Sequence, residues 1–305
     1  MKNSHPDAPD DYAAALFALG HRFRDAGVLA VEGPDREAFL QGQLTQDTRS
    51  LAPGQSRPMA GLTPKGKLLY FGRLASFAEQ LLLIVAASAR AAVVEHLRKY
   101  AVFQKVSVTD RSDELLLLGL YGPGACELAG PDGSLALPAD GEFAAGLLVP
   151  AGTRATVEAG LARAGSIPVS ADAGEILRVE AGRPRFGVES DSNSLPDELG
   201  LQAAISTTKG CYVGQEIVAR LRTYGRVNRR LVGFRFPEET VPAGTVFSDP
   251  AKESLELGRV TSAVLSPRYG PVGLGLAFRD VAEGDALRLA DAPARCAVVA
   301  PLPFA

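Results

Sequence analysis

Short apolar runs alternate with stretches of helix-like periodicity along the chain up to residue 230. Apolar runs bounded by Gly and Pro predict strands, and apolar residues that recur every three or four positions predict helices. Strands are predicted at residues 29–32, 68–75, 81–85, 102–110, 115–121 and 143–149, and helices at 35–41, 88–101, 123–129, 154–164 and 172–182. Hairpins mixed with helices that pack on the sheet make an α+β architecture the expectation.

The pattern changes after Arg230, where no helical periodicity remains. Five short β-type runs separated by Gly and Pro are predicted at residues 231–236, 245–247, 257–265, 272–278 and 286–289. Such runs are typical of a small antiparallel barrel or sandwich. We therefore predict an α+β region at 1–230, long enough for two interleaved subdomains, and a C-terminal β-barrel at 231–305.

Two of the predicted helices begin with capping signals. Ser88 precedes one amphipathic stretch and is the predicted N-cap of its helix. Asp172 is followed three residues later by Glu175, which predicts a capping box at the start of the other helix. Gly182 is placed to end that second helix.

Composition and charge narrow the class of protein. The 305 residues are 46% hydrophobic and 22% charged, which is typical of a globular protein with a sizeable core. The formal net charge of −3 argues against a broad basic surface, so we do not expect direct binding to nucleic acid. The apolar runs are too short to cross a bilayer, and residues 1–12 contain no apolar signal core. We therefore expect a cytoplasmic protein without membrane attachment.

The sequence contains no metal-ligand spacing. The three cysteines and three histidines lie far apart and form no C-x-x-C pair or Cys/His cluster; they are Cys126, Cys211, Cys296, His5, His21 and His96. We therefore expect no resident zinc ion or iron–sulfur cluster.

One stretch carries the strongest chemical signal. Residues 209–216 read Lys-Gly-Cys-Tyr-Val-Gly-Gln-Glu, so two glycines bracket a cysteine that follows a lysine and stands at the head of a predicted helix. A helix N-terminus and a neighbouring cation both lower the pKa of a thiol, which makes Cys211 a candidate reactive thiolate and Lys209 its cation. The alternative is a tight turn in which Cys211 only fills a small space, the common role of a lone cysteine.

This stretch resembles the K-G-C-Y/F-x-G-Q-E signature of the YgfZ-type folate-binding proteins, which are relatives of the glycine-cleavage T-protein. Three further segments extend the resemblance along nearly the full chain: F-L-Q-G-Q-x-T-x-D at 39–47, L-R-x-E-A-G at 177–182, and G-x-V-T-S followed by S-P at 258–267. The resemblance implies a T-protein-like region that binds tetrahydrofolate, followed by a β-barrel. It also implies a role in assembling or repairing iron–sulfur enzymes, including enzymes that modify tRNA, which would be the protein partners.

The resemblance also implies a set of site residues. Cys211 is the functional thiol, and Glu198 stands where T-proteins place the glutamate that accepts the paired N–H donors of the pterin. The signature loop and nearby cations are expected to border the folate; these positions are Lys65, Lys67, Lys209, Tyr212, Gln215, Glu216 and Arg220. A further cation and three aromatic wall candidates, in a chain without tryptophan, are Arg73, Tyr70, Phe71 and Phe186. For each, the ordinary alternative is a solvated surface charge or a core aromatic.

One departure from the family pattern concerns the activity. T-proteins carry a catalytic aspartate in the region that corresponds to residues 63–69, where this chain reads Thr-Pro-Lys-Gly-Lys-Leu-Leu without an acid. Aminomethyl transfer of the glycine-cleavage type is therefore not expected. Two alternatives to the maintenance role remain. One is a folate-dependent methyl- or aminomethyltransferase, and the other is a non-catalytic scaffold whose signature loop docks a partner.

Overall fold

The computed structural model describes residues 10–140, 143–249, 252–290, 292 and 294–305. Residues 1–9, which hold most of the predicted polar start and His5, lie outside this description. Within it, the α-helices are α1 Asp10–Phe17, α2 Arg36–Gln43, α3 Arg90–Tyr100, α4 Arg154–Arg163, α5 Ala171–Glu180 and α6 Gln215–Tyr224. No helix in these ranges is both long enough and apolar enough to cross a bilayer.

The strands within the same ranges fall into three groups. The first ten are β1 Gly20–Arg24, β2 Ala26–Glu32, β3 Ser56–Leu62, β4 Leu68–Phe77, β5 Gln80–Ala86, β6 Ser107–Asp110, β7 Leu115–Tyr121, β8 Leu135–Pro138, β9 Ala145–Pro150 and β10 Ile167–Pro168. The others are β11 Arg229–Arg235, β12 Val246–Asp249, β13 Lys252–Ser266, β14 Gly270–Phe278, β15 Ala286–Leu289 and β16 Cys296–Ala300. The first ten build two sheets, and the last six build a barrel.

Strands β2 to β6 form an antiparallel sheet in the order β3-β4-β5-β2-β6. The predicted hairpin forms between β4 and β5, with Leu74 opposite Leu83. Helices α2 and α3 contribute Leu40 and Leu97 to a core with Leu29 of β2, and all three side chains are fully buried. Burying an apolar side chain of this size contributes about 1.5–3 kcal/mol, so this core explains why the apolar runs become strands here.

The other sheet has the order β10-β1-β7-β9-β8 and combines distant parts of the chain. Strand β1 pairs antiparallel with β7 and parallel with β10, so Gly20 lies opposite both Tyr121 and Ile167. The two sheets share a buried cluster that contains Leu82 of β5 and Leu117 of β7. The α+β region is thus built from two sheets whose strands are interleaved in sequence.

Strands β11 to β16 close into an antiparallel barrel in the order β11-β14-β13-β12-β15-β16. Phe234 and Phe247 fill its centre, with ring centroids 4.7 Å apart. The predicted C-terminal β-barrel is confirmed. Strand β16 was missed because its short apolar run is followed at once by the prolines at 301 and 303.

Both predicted helix caps were wrong. Helix α3 has Ala89 as its N-cap instead of Ser88, because residues 87–89 form a 3₁₀ turn before it. Helix α5 is capped by Ser170, whose Oγ accepts a hydrogen bond from Ala173 N at 3.1 Å. Asp172 therefore lies inside the helix, and the predicted capping box does not form.

Two predicted elements are shorter in the structure. The strand predicted at 102–110 covers only Ser107–Asp110, because residues 101–106 turn back and Lys105 N donates to Asp35 Oδ2 at 2.8 Å. The helix predicted at 123–129 is only a 3₁₀ turn at Ala125–Glu127, preceded by Gly124 in a left-handed conformation. In both places a local turn replaces the regular element.

A buried arginine joins the barrel to the α+β region. Arg178 on α5 is 2% exposed, and its guanidinium donates to Glu189 Oε2 at 3.1 Å. The same group donates to Glu175 Oε1 and Ser262 Oγ, each at 2.7 Å. Glu189 Oε1 in turn accepts from Ser262 Oγ at 2.6 Å and from Thr261 Oγ1 at 3.0 Å. The L-R-x-E-A-G and G-x-V-T-S segments therefore meet in one hydrogen-bonded network.

The glutamate of L-R-x-E-A-G makes a second link. Glu180 Oε1 accepts hydrogen bonds from the Tyr12 hydroxyl at 2.7 Å and from Ser266 Oγ, at the end of β13, at 2.5 Å. Its backbone oxygen accepts from Phe304 N at 2.9 Å. Burial and the Glu180 carboxylate raise the pKa of the Tyr12 hydroxyl far above its usual range, so Tyr12 remains a donor. Helix α1, helix α5 and the barrel are held together at this carboxylate.

Removing one partner of the buried ion pair is expected to destabilise the protein strongly. Arg178→Met leaves Glu189 buried without its counter-charge, a change that typically costs about 3–5 kcal/mol. Replacing both residues, Arg178→Met with Glu189→Leu, removes both charges and should recover part of that loss. Denaturant unfolding followed by circular dichroism measures both variants. Equal stability of the single variant and the wild type would contradict the role assigned to the pair.

Candidate functional site

The lysine of the signature loop closes the C-terminal end of helix α2. The Lys209 ammonium donates to three backbone carbonyl oxygens, those of Gln41, Leu44 and Gln46, at 2.6, 2.7 and 3.0 Å. Carbonyl oxygens at a helix end lack intrahelical partners and carry the negative end of the helix dipole. All three ammonium protons are therefore used inside the protein.

The chain after α2 is shaped to receive this lysine. Thr45 Oγ1 donates to Ala204 O at 2.6 Å and accepts from Ala60 N at 3.0 Å. Gln46 Nε2 donates to Ala203 O at 3.1 Å. The F-L-Q-G-Q-x-T-x-D segment is thus tied to strand β3 and to the residues that precede the signature loop.

Two features of the surroundings of Lys209 act on the charge of its ammonium group in opposite directions. Burial lowers the pKa of its ammonium to about 8, and the nearby Asp47 carboxylate counteracts this shift. A hydrogen bond from Ser50 Oγ at 2.5 Å lowers the pKa of Asp47, which keeps that carboxylate charged. Lys209 was predicted to act as a cation beside Cys211 or a ligand; in the structure its protons hold the loop.

The tyrosine of the signature anchors the loop in the core. Tyr212 is buried in a cluster with Leu62, Leu199 and Val218. Lys209 Nζ lies 5.1 Å from the centre of its ring, a cation–π distance. Burial also raises the pKa of the Tyr212 hydroxyl. Tyr212 therefore fixes the position of the loop by packing.

Two glycines bring a second turn against the signature loop. Gly66, between β3 and β4, and Gly214, the N-cap of α6, have left-handed φ angles of 73° and 84°. A Cβ on Gly214 would lie 2.6 Å from Thr63 O and 3.2 Å from Gly66 Cα, so only glycine permits this approach. The Pro-Lys-Gly-Lys turn, with exposed Lys65 and half-buried Lys67, therefore lies beside the start of α6.

Cys211 lies exposed in this loop, between the anchored lysine and tyrosine. Helix α6 begins at Gln215, so the thiol lies ahead of the helix and not in its first turn. On α6, Gln215 is half-buried, whereas Glu216 and Arg220 are exposed. Within the described part of the chain, no group of three or more His, Cys, Asp or Glu side chains is placed to hold a metal ion.

Glu198 is buried and fixed by the protein. It lies in the 3₁₀ turn Pro196–Leu199, where its Oε2 accepts a hydrogen bond from Leu195 N at 2.9 Å. The same oxygen pairs with Arg229 Nε of β11 at 3.3 Å, and Arg229 also pairs with Asp191 at 3.2 Å. This carboxylate therefore orders the chain ahead of the signature loop and ties it to the first barrel strand.

A cavity of about 720 Å³ lies between the two sheets. Strands β3, β4 and β5 form one side and the end of β8 another, and residues 183–186, 200–201 and 203–204 are also part of the lining. Its volume is within the range of small-molecule sites, about 300–1,000 Å³. Phe71 and Phe186 meet in its wall edge to face, with centroids 5.8 Å apart. The cavity can therefore receive a flat apolar ring system.

Arginines outnumber acids in the lining of this cavity. The charged lining residues are Arg24, Arg73, Arg178, Arg183, Arg185, Asp25 and Asp140. Glu175 pairs with Arg178 and Arg185. Burial lowers the pKa of Arg73, while the Asp140 carboxylate opposes that shift. Arg178 is paired with Glu189 as well, so Arg73 and Arg183 are the lining arginines that favour a ligand that carries carboxylates.

The structure separates the predicted site residues into two places. Arg73, Phe71 and Phe186 line the cavity, whereas Tyr70 is buried in the core on the other side of its sheet. The residues around the exposed loop do not belong to the cavity lining; they are Lys65, Lys67, Lys209, Cys211, Tyr212, Gln215, Glu216 and Arg220. Glu198 is also outside that lining, although Gly200 and Leu201 just after it are part of it.

Sequence reasoning missed part of the cavity. Arg24, Arg183 and Arg185 were not among the predicted site residues, and all three line it. The available signal was the Arg-Pro-Arg-Phe run at 183–186, directly after L-R-x-E-A-G. No comparable signal marks Arg24, because its place in the lining depends on how β1 pairs across the second sheet.

The sequence of this chain is similar to those of known proteins, and this similarity agrees with the fold described above. The family model described as GCVT N-terminal domain matches residues 24–131. The tRNA-modifying protein YgfZ of Edwardsiella ictaluri is 32% identical over 315 residues, which cover 90% of this chain and 88% of that relative. The chain belongs to the YgfZ family.

Aminomethyltransferases are also similar to this YgfZ-family protein. The aminomethyltransferase of Rubrobacter xylanophilus is 29% identical, with 95% of this chain and 83% of that protein covered. The crystal structure of glycine cleavage system aminomethyltransferase T from Bartonella henselae has a TM-score of 0.86 at 24% identity, covering 97% of this chain and 88% of that one. This structural similarity establishes the predicted T-protein-like fold.

Loss of the Lys209 ammonium is expected to destabilise the YgfZ-family protein. Lys209→Met keeps the length of the side chain but leaves three carbonyl oxygens without their donor. The expected loss is about 1.5–3 kcal/mol, the usual contribution of hydrogen bonds to a charged group. Denaturant unfolding at pH 7 measures it, with Lys65→Met as the matched control because Lys65 is exposed.

The pH dependence of the stability of the wild type and of Lys209→Met provides a second test of the buried ammonium. The pKa of Lys209 is about 8 in the folded state, below its value of about 10.4 in an unfolded chain. Between these values the unfolded state binds more protons, so this group makes wild-type stability rise with pH. The stability difference between wild type and Lys209→Met should therefore grow from pH 8 to pH 10. A constant difference would contradict a buried ammonium.

Proposed function

We propose that this YgfZ-family protein binds tetrahydrofolate in the 720 Å³ cavity and supports the assembly or repair of iron–sulfur enzymes, including enzymes that modify tRNA. The observation that carries the proposal is the combination of aromatic walls and excess arginine in a T-protein-like fold. The YgfZ relative is named for tRNA modification, which favours tRNA-modifying enzymes as clients. Three free cysteines, two of them exposed, suit a reducing cytoplasm.

The chemistry of the cavity matches the parts of a reduced folate. The pterin and benzoyl rings are flat and apolar on their faces, and Phe71 and Phe186 offer such faces. The glutamyl end carries carboxylates, and Arg73 and Arg183 offer guanidinium groups for them. Glu198, as the pterin acceptor, would act from the border of the cavity, next to Gly200.

The signature loop has a different part in this proposal. Its thiol is exposed, outside the cavity lining, and held between two anchored residues. A protein partner can reach such a group without entering the folate cavity. We therefore assign Cys211 to the contact with the client enzyme, as a nucleophile, a reductant or a transient ligand of iron.

Aminomethyl transfer is the second candidate function, favoured by the similarity to the Rubrobacter xylanophilus enzyme. The turn between β3 and β4 is the counterpart of the segment with the T-protein catalytic aspartate. Residues 63–69, which form this turn and the start of β4, contain two lysines and no carboxylate. The transfer would therefore lack the acid that steers it, and we rank this candidate below folate-dependent maintenance.

Tetrahydrofolate is expected to bind saturably to the wild type. Arg73→Gln should weaken binding by about 10- to 100-fold, because a hydrogen bond to a charged group contributes about 1.5–3 kcal/mol. Lys65→Gln is the matched control, since Lys65 lies outside the cavity, and it should bind as the wild type does. Anaerobic calorimetric titration of the three proteins measures this.

Glu198→Gln extends the titration to the predicted pterin acceptor. The amide keeps an oxygen for Leu195 N and loses the charge, so binding should weaken while the melting temperature shows whether the 3₁₀ turn survives. If the wild type does not bind tetrahydrofolate, the alternative of a non-catalytic scaffold whose signature loop docks a partner is favoured.

Cys211→Ser is expected to abolish the support of iron–sulfur enzymes in cells that lack the endogenous protein. Cys126→Ser is the matched control, because Cys126 is another exposed cysteine and lies in the 3₁₀ turn Ala125–Glu127, outside the signature loop. The activity of a tRNA-modifying iron–sulfur enzyme, measured as modified nucleoside in total tRNA, reports the outcome. Full activity with both variants would leave Cys211 a structural residue, while tetrahydrofolate binding should be unchanged in either case.

A further inference from the structure

A second cavity, of about 390 Å³, lies where helices α1 and α5 meet the barrel and residues 303–304. It shares only Phe143 with the lining of the larger cavity. None of the residues assigned above to folate or to the client enzyme lines it. It is therefore a separate place on the molecule, with its own chemistry.

The lining of the small cavity combines mostly apolar residues with two tyrosines, one acid and one base. Among the described residues, Glu180 and Arg268 are the charged side chains that border it. Four aromatic residues share the rest of the lining with small and aliphatic ones; they are Tyr121, Phe143, Tyr269 and Phe304. Binding sites for small molecules have this composition, mostly apolar with a few placed polar groups.

One oxygen of the Glu180 carboxylate, Oε2, has no hydrogen-bond donor among the described residues. Glu180 is 6% exposed, and both of its side-chain donors, Tyr12 and Ser266, bond to Oε1. Oε2 accepts no hydrogen bond from the described residues, and Glu180 borders the cavity. A positively charged N–H donor in the cavity would give this oxygen a charge-assisted hydrogen bond.

The end of helix α5 strengthens the preference for a cation at this point. Glu180 is the last residue of this ten-residue helix, and its C-cap Ala181 also lines the cavity. The C-terminal end of a helix carries partial negative charge, which favours a cation beside it. The helix end therefore adds to the preference of the Glu180 carboxylate for a cation.

Arg268 supplies the opposite charge at the mouth of the cavity. Its side chain is exposed, and its guanidinium lies 4.9 Å from the centre of the Tyr269 ring. It forms no salt bridge with any residue in the described ranges. A guanidinium stacked on an aromatic ring keeps its N–H edge open for a carboxylate.

We propose that the small cavity binds an α-amino acid with an apolar side chain. Glu180 takes the ammonium group, Arg268 takes the carboxylate, and the aromatic wall receives the side chain. This inference does not rest on the folate proposal, because the two cavities have separate linings. A ligand of about a dozen heavy atoms should bind with a dissociation constant on the order of 1 mM.

Ligand-observed NMR titration of the full chain with three probes tests the proposal. L-phenylalanine has both charges, 2-phenylethylamine lacks the carboxylate, and 3-phenylpropionate lacks the ammonium. Saturable binding is expected for L-phenylalanine, with each of the other two at least tenfold weaker. No saturable binding of L-phenylalanine at 20 mM would overturn the proposal and leave a water-filled cavity.

Two variants assign the binding to its residues. Glu180→Gln keeps an oxygen for Tyr12 and Ser266, and should weaken L-phenylalanine and 2-phenylethylamine about tenfold while leaving 3-phenylpropionate unchanged. Arg268→Ala should weaken L-phenylalanine and 3-phenylpropionate and leave 2-phenylethylamine unchanged. Arg279→Ala, at another exposed arginine, is the control. Unchanged L-phenylalanine binding in both variants, or competition by tetrahydrofolate, would place the ligand elsewhere and overturn the proposal.

Discussion

The buried ion pair between Arg178 and Glu189 is the interaction on which the arrangement of barrel, helix α5 and cavity depends. Two buried charges are tolerated only when further hydrogen bonds satisfy their remaining donors and acceptors. Here α5 and β13 supply those bonds. The pair also fixes the chain between its members. Arg183 O accepts from Arg178, and Arg185 N donates to Glu189. The loop that brings arginines to the cavity is therefore set by the contact that docks the barrel.

The signature loop is also held in place by the hydrogen bonds of a charged side chain, here Lys209. Lys209 satisfies the end of α2, and Tyr212 fills a core, so a short glycine-containing loop keeps a fixed place on the surface. Two residues of the motif, Lys209 and Tyr212, thus hold the loop in position, and a third, Cys211, is exposed on its surface. Because the loop and the large cavity have different linings, a bound small molecule and a docked protein need not compete for space.

The sequence predicted much of the fold because its signals were local. Apolar runs located the β4–β5 hairpin and five of the barrel strands, and the short motifs indicated the family. The signals failed where tertiary contacts decide. Asp172 has the right spacing for a cap but Ser170 holds the position, and 102–106 turn to meet Asp35. The roles of Lys209 and the cavity arginines also follow from distant contacts, which no spacing along the chain records.

The interleaving of the two sheets has a consequence for the order of folding. Residues 26–110 contain all five strands of one sheet, so that sheet can form as soon as they leave the ribosome. Among the described strands, β1 pairs with β7 and β10, so it waits for β7 and keeps its other edge open until Ile167 has been made. Pairing across such sequence distances is slow and leaves edges open to aggregation. The first strand among the described residues is thus completed only after strands made much later in the α+β region, and one of its edges stays open until then.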